Sequence, residues 1–354
     1  MQIDERYMAR CLVLAKNGMC NVAPNPMVGA VIVYQDRIIG EGFHQRCGDV
    51  HAEVNAINAV KDKRLLKDAT LYVSLEPCSH YGKTPPCAEL IIREGIPRVV
   101  VACLDPFSEV SGRGVRMLQD AGIEVVVGVL EDEAVWLNRF FMTAHTQHRP
   151  YIILKWAQST DGFIDRIRTG SLVFPVQFST SSTRRYLHKL RSEVSAIMVG
   201  TNTAILDNPS LTVRHWVGNS PVRIVLDRSL RIPDSHHLFD GTVQTYVFTE
   251  SIKENRKNVE YIHVDFSKSL IPEVLGFLYA RKLNSLLVEG GALLHESFLA
   301  SGLFDEIRIE TSPMLLNEGV KAPCISSVKY RKKKCIPVGQ VCKNDKNTIT
   351  ICTC

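Results

Sequence analysis

His51, Cys78 and Cys87 are the residues of this chain best equipped to hold a metal ion, and Glu53 is the one best placed to move protons beside it. One imidazole and two thiolates make a three-ligand zinc set. Zinc held by three protein ligands keeps a fourth position for water and lowers the pKa of that water towards neutrality. Glu53 lies two residues beyond His51, near enough to exchange protons with such a water without being a ligand. Each residue also has a plainer use: a histidine at a helix start caps it or meets solvent, and an isolated cysteine packs as a small hydrophobe. The joint pattern favours the metal, because Pro77 and Pro86 precede the two cysteines and an apolar strand, Thr70 to Leu75, leads into the first. His44 and His80 are reserve ligands, substrate contacts or polar surface residues.

A His-x-Glu pair followed by Pro-Cys and a second cysteine is the signature of the zinc deaminases, in which the glutamate shuttles protons between an attacking water and the leaving ammonia. Their second cysteine follows the first after two residues, whereas Ser79 to Pro86 put eight residues between Cys78 and Cys87. Such a loop either spoils the site or marks a separate group. On these residues alone three readings stay open: a nucleoside or nucleobase deaminase, a deaminase of nucleic acid, and a structural zinc closed by a fourth ligand. The charge argues against nucleic acid. The net +5 is spread thinly, and the densest basic run, Lys329 to Lys334, has only Tyr330 as an aromatic partner, so it reads as a solvated stretch.

The elements that must position these groups follow from hydrophobic periodicity. Tyr7, Met8, Cys11, Leu12 and Ala15 recur at helical spacing, and Gly18 stops that helix. Gly29 to Val33 and Ile38 to Gly42 flank a polar turn and form a hairpin. Helix and strand signals then alternate: Ala52 to Val60, Thr70 to Leu75, Ala88 to Glu94, Val99 to Ala102, Val115 to Ala121 and Val125 to Val129. One helix from Glu131 to about His145 closes this part, and the polar stretch Thr146 to Pro150 links it to the next. A second α/β part follows, with strands at Tyr151 to Trp156, Ala196 to Val199, Val222 to Leu226, Tyr246 to Thr249 and Ser285 to Glu289. Its helices run through Thr183 to Arg191, Ile271 to Ala280 and the residues after Gly291. A length of 354 residues, 45% hydrophobic, suits two such domains, 1–148 and 149–354. Eleven cysteines without regular spacing, behind no signal-like segment, point to a reducing cytoplasm. No apolar run approaches the roughly 18 residues that cross a membrane.

In the second part, Val288-Glu289-Gly290-Gly291-Ala292 joins an apolar strand to a helix, so backbone N–H groups at the helix start can receive a phosphate. A tight turn would need the same glycines. No strand is followed by G-x-G-x-x-G, which disfavours a Rossmann site.

Taken together, these residues resemble the bifunctional diaminohydroxyphosphoribosylaminopyrimidine deaminase/5-amino-6-(5-phosphoribosylamino)uracil reductase family of riboflavin synthesis. The likeness runs through Pro24-Asn25-Pro26-Met27-Val28-Gly29, Gly42-Phe43-His44, His51-Ala52-Glu53 and Leu75-Glu76-Pro77-Cys78 to Pro85-Pro86-Cys87. It continues in Lys155 to Gly162, Thr180-Ser181, Leu190-Arg191, Ala196 to Gly200 and Asp207 to Arg214. The long loop between the cysteines is thus a family feature. The resemblance implies a cytidine-deaminase-like three-layer α/β/α domain followed by a dihydrofolate-reductase-like α/β domain. It implies one Zn2+ in the deaminase domain, with Asn25, His44 and the loop residue Lys83 on the substrate. NADPH would be held by Gln158, Thr203, Asp207 and the run Gly291, Ala292, Leu293, Leu294, His295, Glu296 and Ser297. Arg191, Leu211, Arg214 and Glu289 would face a pyrimidine ribosyl phosphate. A homo-oligomer, dimer or tetramer, is the family expectation. One departure is Pro175-Val176-Gln177-Phe178, where the family often has a tryptophan in a Ser-x-Trp stretch before Thr-Ser.

Overall fold

The computed structural model describes residues 3–81, 85–107, 111–170, 172–326, 328–337 and 346–354. The chain divides into two units, Met1–His148 and Arg149–Cys354.

In the first unit, β1 (Gly29–Tyr34), β2 (Arg37–Phe43), β3 (Thr70–Val73), β4 (Arg98–Val101) and β5 (Glu124–Val127) form a sheet in the order β2-β1-β3-β4-β5. The strand β1 is antiparallel to both neighbours, and the other pairs are parallel. Side-chain alternation sorts the core onto two faces. Ala30, Ile32, Leu71, Val73, Val99 and Val101 pack under α2 (Ala52–Ala59), α3 (Cys87–Glu94) and α4 (Arg113–Asp120). On the other face Val31, Val33, Tyr72 and Val100 meet α1 (Ile3–Ala15) and α5 (Glu131–Leu137). This is the three-layer arrangement expected.

Two glycines of β2 let α2 lie directly on the strand. A Cβ at Gly42 would fall 2.4 Å from the Ala56 nitrogen and 2.5 Å from the Ala52 oxygen, and one at Gly40 would fall 2.4 Å from the Ala56 oxygen. Any side chain there would push away the helix that begins at His51 and carries Glu53. The closing helix differs from expectation. It is two helices, α5 and α6 (Arg139–Gln147), broken at Asn138. The physical reason is tertiary: the Asn138 side chain accepts from the Met27 N–H at 2.8 Å and donates to the Met27 carbonyl at 2.9 Å.

The second unit carries β6 (Tyr151–Gln158), β7 (Phe163–Asp165), β8 (Ala196–Gly200), β9 (Val222–Leu226), β10 (Thr245–Thr249), β11 (Val259–His263) and β12 (Ser285–Gly290). After these come β13 (Glu306–Thr311), β14 (Val320–Lys321), β15 (Lys332–Pro337) and β16 (Thr348–Thr353). The nine-stranded sheet runs β11-β10-β9-β8-β12-β6-β13-β16-β15, parallel as far as β13 and antiparallel beyond it. The helices are α7 (Ser181–Glu193), α8 (Thr201–Asp207), α9 (Leu270–Ala280) and α10 (Ala292–Ser301). Leu154, Met198, Ile224, Phe248 and Val288 form one core face with Leu275, Leu278 and Phe298 of α9 and α10. The basic run lies in and before β15, an edge strand whose lysines are exposed. Charged edges of this kind discourage strand-to-strand aggregation. Among the described residues no helix is long and apolar enough to cross a membrane.

Candidate metal centre and nucleotide cavity

His51 caps α2 in an extended conformation, and Cys87 is the first residue of α3, behind Pro86. Both helix starts, and the loop that follows β3, converge. The Nδ1 of His51 lies 3.5 Å from Cys78 Sγ and 3.3 Å from Cys87 Sγ, and one ligand atom from each residue falls within 4.8 Å of the others. No other group of three His, Cys, Asp or Glu residues among those described is close enough to hold an ion. The chemistry of the set fits zinc, with three ligands and no fourth among them. The thiol of Cys78 is lowered to about 4, first by the hydrogen bond from Cys87 and then by His51. The same contact with Cys78 raises His51 to about 9.

A carboxylate that the motif alone did not single out anchors this loop. Buried Glu76 accepts the N–H groups of Asp105 (3.2 Å), Gly112 (2.9 Å), Gly114 (2.8 Å) and Val115 (3.2 Å), which ties the segment before Cys78 to the start of α4. An acidic group at a helix start is favoured on both hydrogen-bonding and dipole grounds.

A cavity of about 370 Å³ opens beside the metal ligands. Of the expected residues it brings together Asn25, His44, His51, Glu53 and Cys78, with His80 also on its wall. Lys83 lies outside the described residues. Asn25 Nδ2 sits 3.3 Å from His44 Nε2, and His44 Nδ1 lies 3.2 Å from the Val50 carbonyl. The amide donates to Nε2, so the proton of a neutral His44 is on Nδ1 and donates to Val50; burial lowers its pKa and favours that neutral form. Glu53 is 3% exposed, and its carboxyl is pushed up to about 7, first by burial and then by the charge of Cys78. Sequence reasoning did not find the opposite wall, Asp105, Phe107, Phe141 and His145. The rings of Phe107 and Phe141 meet His145 at 5.6 and 4.4 Å. No local spacing signals them, because α6 and the segment after β4 reach the site only through the fold.

In the second unit a cavity of about 850 Å³ lies at the carboxyl ends of β6, β12, β8 and β9. It gathers Thr203, Asp207, Gly291, Ala292, Leu293, Leu294, His295, Ser297 and Glu289. A Cβ at Gly290 would fall 2.9 Å from Thr203 Cγ2, and Gly291, at φ 83°, leaves only 3.2 Å to Thr203 Oγ1. Bare backbone here leaves a cradle for a phosphate, which fits a dinucleotide. Buried His295 stitches this turn with Nδ1 2.9 Å from the Gly291 carbonyl and Nε2 3.2 Å from that of Val288. Pro175, Val176, Gln177 and Phe178 line the same cavity, so the departure from the family pattern falls on its wall.

Five expected residues are not on that wall. Gln158 accepts from Trp156 Nε1 at 2.8 Å, and Glu296 is exposed on α10. Arg191 spends its fork on Glu289, at 2.8 and 2.6 Å, and donates a third bond to the Thr212 carbonyl at 3.1 Å. Burial works to raise Glu289, but the charge of Arg191 outweighs it and holds the carboxyl below its usual value. Leu211 is buried with φ 53°, and Arg214 is exposed, its own N–H held by His188 Nδ1 at 2.9 Å.

Known proteins match over both units. The family described as the RibD C-terminal domain matches residues 150–341, and the cytidine and deoxycytidylate deaminase zinc-binding region matches 1–103. The riboflavin biosynthesis protein RibD of Aquifex aeolicus (strain VF5) is 42% identical over 350 residues, covering 96% of this chain and 97% of its own. That of Escherichia coli (strain K12) is 38% identical, covering 91% and 90%. Among solved structures, a diaminohydroxyphosphoribosylaminopyrimidine deaminase/5-amino-6-(5-phosphoribosylamino)uracil reductase from Thermotoga maritima superposes with a TM-score of 0.87 at 37% identity, covering 99% of this chain and 98% of its own. Acinetobacter baumannii RibD gives 0.85 at 33% identity over 99% and 98%. Both expected domain folds are therefore present in their expected order, and the chain belongs to the RibD family of riboflavin biosynthesis proteins.

Proposed function

We propose that this chain removes an amino group from 2,5-diamino-6-(5-phosphoribosylamino)pyrimidin-4-one in its first unit and reduces the ribosyl side chain of the resulting aminouracil to ribityl in its second. The observation that carries the reading is a buried glutamate in the same cavity as a histidine and a cysteine of the three-ligand set. When bound, zinc supplies a Lewis acid that acidifies a water, and NADPH supplies a hydride. His51, Cys78 and Cys87 would hold the ion, and Cys78 would bring to it a sulfur already disposed to carry charge. Glu53 takes a proton from the water and returns it to the departing nitrogen, so water enters and ammonia leaves with no other reactant. Burial keeps its carboxyl from being an ordinary surface carboxylate, which suits a group that must take a proton and give it back. Asn25 and neutral His44 present polar atoms to the ring, and Lys83 meets the phosphate.

For the reduction, the turn at Gly290 and Gly291 would receive the cofactor's phosphates, with Thr203, Asp207 and the start of α10 around it. Gln158, at the end of β6, and Glu296 complete the proposed cofactor set from outside the cavity wall. Glu289, held square by Arg191, accepts from hydroxyls of the ribosyl group, while Leu211 and Arg214 border its phosphate. Arg191 thus acts through Glu289. The step consumes one hydride and one proton. A homo-oligomer working in the cytoplasm belongs to the same reading; no disulfide joins cysteines among the described residues.

The test follows ammonia and NADPH absorbance in one tube with zinc-loaded protein and the diaminopyrimidine ribosyl phosphate. Both signals are expected. Glu53→Gln is expected to abolish ammonia release while reduction of supplied deaminated substrate continues. Loss of both reactions in the folded variant would overturn the assignment of separate sites.

A further inference from the structure

The cavity of the second unit spans three strand spacings, roughly 14 Å from β6 to β9. Its β6 and β12 end holds Lys155 and Glu289, and Glu289 leads through Arg191 to the loop that carries Arg214. A reacting nicotinamide must border its substrate, so it belongs at that end. The phosphate cradle at Gly291 sits at the end of β12. The adenosine half is left with the ends of β8 and β9, where Leu226 and Phe266 offer apolar surface and Asn202 and Arg231 offer polar groups.

Three cations line the cavity, and two are engaged. Lys155 lies 3.6 Å from Glu310, and Arg168 is ion-paired to both Asp165 and Asp207. Among the described residues the Arg231 guanidinium makes no ion pair and donates only to Asn202 Oδ1, at 3.2 Å. It is nevertheless firmly presented. Asp227, 1% exposed at the end of β9, accepts the N–H groups of Arg231 (3.0 Å) and Ile232 (2.9 Å) and so fixes the turn that carries the guanidinium. The Thr201 hydroxyl donates to the Leu226 carbonyl and joins the start of α8 to the same strand end. An arginine without a carboxylate, held at the rim of the adenosine half beside an amide, is built to take a phosphate monoester.

We propose that Arg231, with Asn202, binds the 2′-phosphate on the adenosine ribose of NADPH and thereby sets the preference for NADPH over NADH. This rests on the reductase reading of the second unit. The competing source of the same chemistry is the substrate's own ribosyl phosphate. Calorimetry on the full-length, zinc-loaded protein with NADP+, NAD+, 2′,5′-ADP and 5′-AMP separates them. The wild type is expected to favour NADP+ and 2′,5′-ADP. Arg231→Gln should lose roughly ten- to a hundredfold in affinity for those two and leave NAD+ and 5′-AMP unchanged. Arg231→Lys should keep most of the preference, and Asn202→Ala should lose part of it. Equal loss for all four ligands, or no loss, in a variant that melts like the wild type would overturn the proposal. So would weakened binding of the pyrimidine ribosyl phosphate with the nucleotides unaffected. A wild type that binds none of the four would overturn the reductase reading along with it.

Discussion

At the residue scale, the two units use buried polar groups in opposite ways. The carboxyl of Glu53 is pushed up chiefly by burial and makes no ion pair with a side chain among the described residues, whereas the half-buried Glu289 is held down by a bidentate arginine. The first is left able to exchange a proton, and the second stays a fixed acceptor. Cys87 offers a direct test of the metal set: Cys87→Ala is expected to leave far less than one zinc per chain and to cut ammonia release by more than roughly a hundredfold. NADPH oxidation on the deaminated pyrimidine should keep its rate, with metal analysis and the two assays as the check. His188 contributes a pH dependence of stability. Burial first, then the nearby Arg191, holds its pKa at about 4, below the ordinary 6.5. The folded protein therefore binds fewer protons there than the unfolded chain between those values, so stability is full above about 6.5 and falls as pH drops towards 4. Protonation also removes the acceptor for the Arg214 N–H. Thermal melts at pH 7 and 4.5 should show a drop several degrees smaller in His188→Gln, which keeps an acceptor and cannot titrate. The metal set was legible in the sequence because its spacing is local to two helix starts and one loop. Phe141, His145 and Asp105 were not, since no short-range pattern marks a residue that reaches a site across the fold.

At the scale of elements, the alternating strands and the glycine-backed helix α2 follow from periodicity, but two features required tertiary information. The strand β13 reads Glu-Ile-Arg-Ile-Glu-Thr, an apparently half-solvated pattern, yet Glu306, Arg308 and Glu310 are all buried. Arg308 pairs with Glu306 along the strand, and the rest of their needs are met from far off in sequence: Glu306 accepts from Tyr151 at 3.1 Å, Arg308 donates to Tyr186 at 2.8 Å, and Glu310 accepts from Ser179 and Asn347, each at 2.8 Å. The charges disguised a central strand. The break at Asn138 was hidden for the same reason, because its cause is Met27, 111 residues away in sequence. That clamp fixes the backbone just after Asn25 and Pro26, two residues of the first cavity. Asn138→Leu leaves a buried donor and acceptor unmet, at a cost of about 2–4 kcal/mol. Deaminase kcat/KM is expected to fall about tenfold or more, with reduction of supplied deaminated substrate unchanged. An unaltered deaminase in a destabilised variant would mean that the clamp serves stability alone.

At the scale of the whole molecule, each cavity is lined by residues of one unit only, 25–145 for the first and 155–320 for the second. A modest net charge of +5 is compatible with anionic small molecules in both places. The deaminated pyrimidine is therefore expected to leave the first site into solvent before it meets the second. Two full-length variants test this: Glu53→Gln, which cannot deaminate, and Glu289→Gln, which keeps an acceptor for Arg191 but loses the charge that faces the ribosyl group. Each alone should fail to convert the diaminopyrimidine to the ribityl product. Mixed, they should restore turnover after a lag that shortens as the Glu53→Gln protein, the source of reductase, is raised. A lag that responds to concentration is the kinetic mark of a free intermediate. If the mixture stays inactive while each variant performs its remaining reaction on supplied substrate, the intermediate passes between the two sites without release.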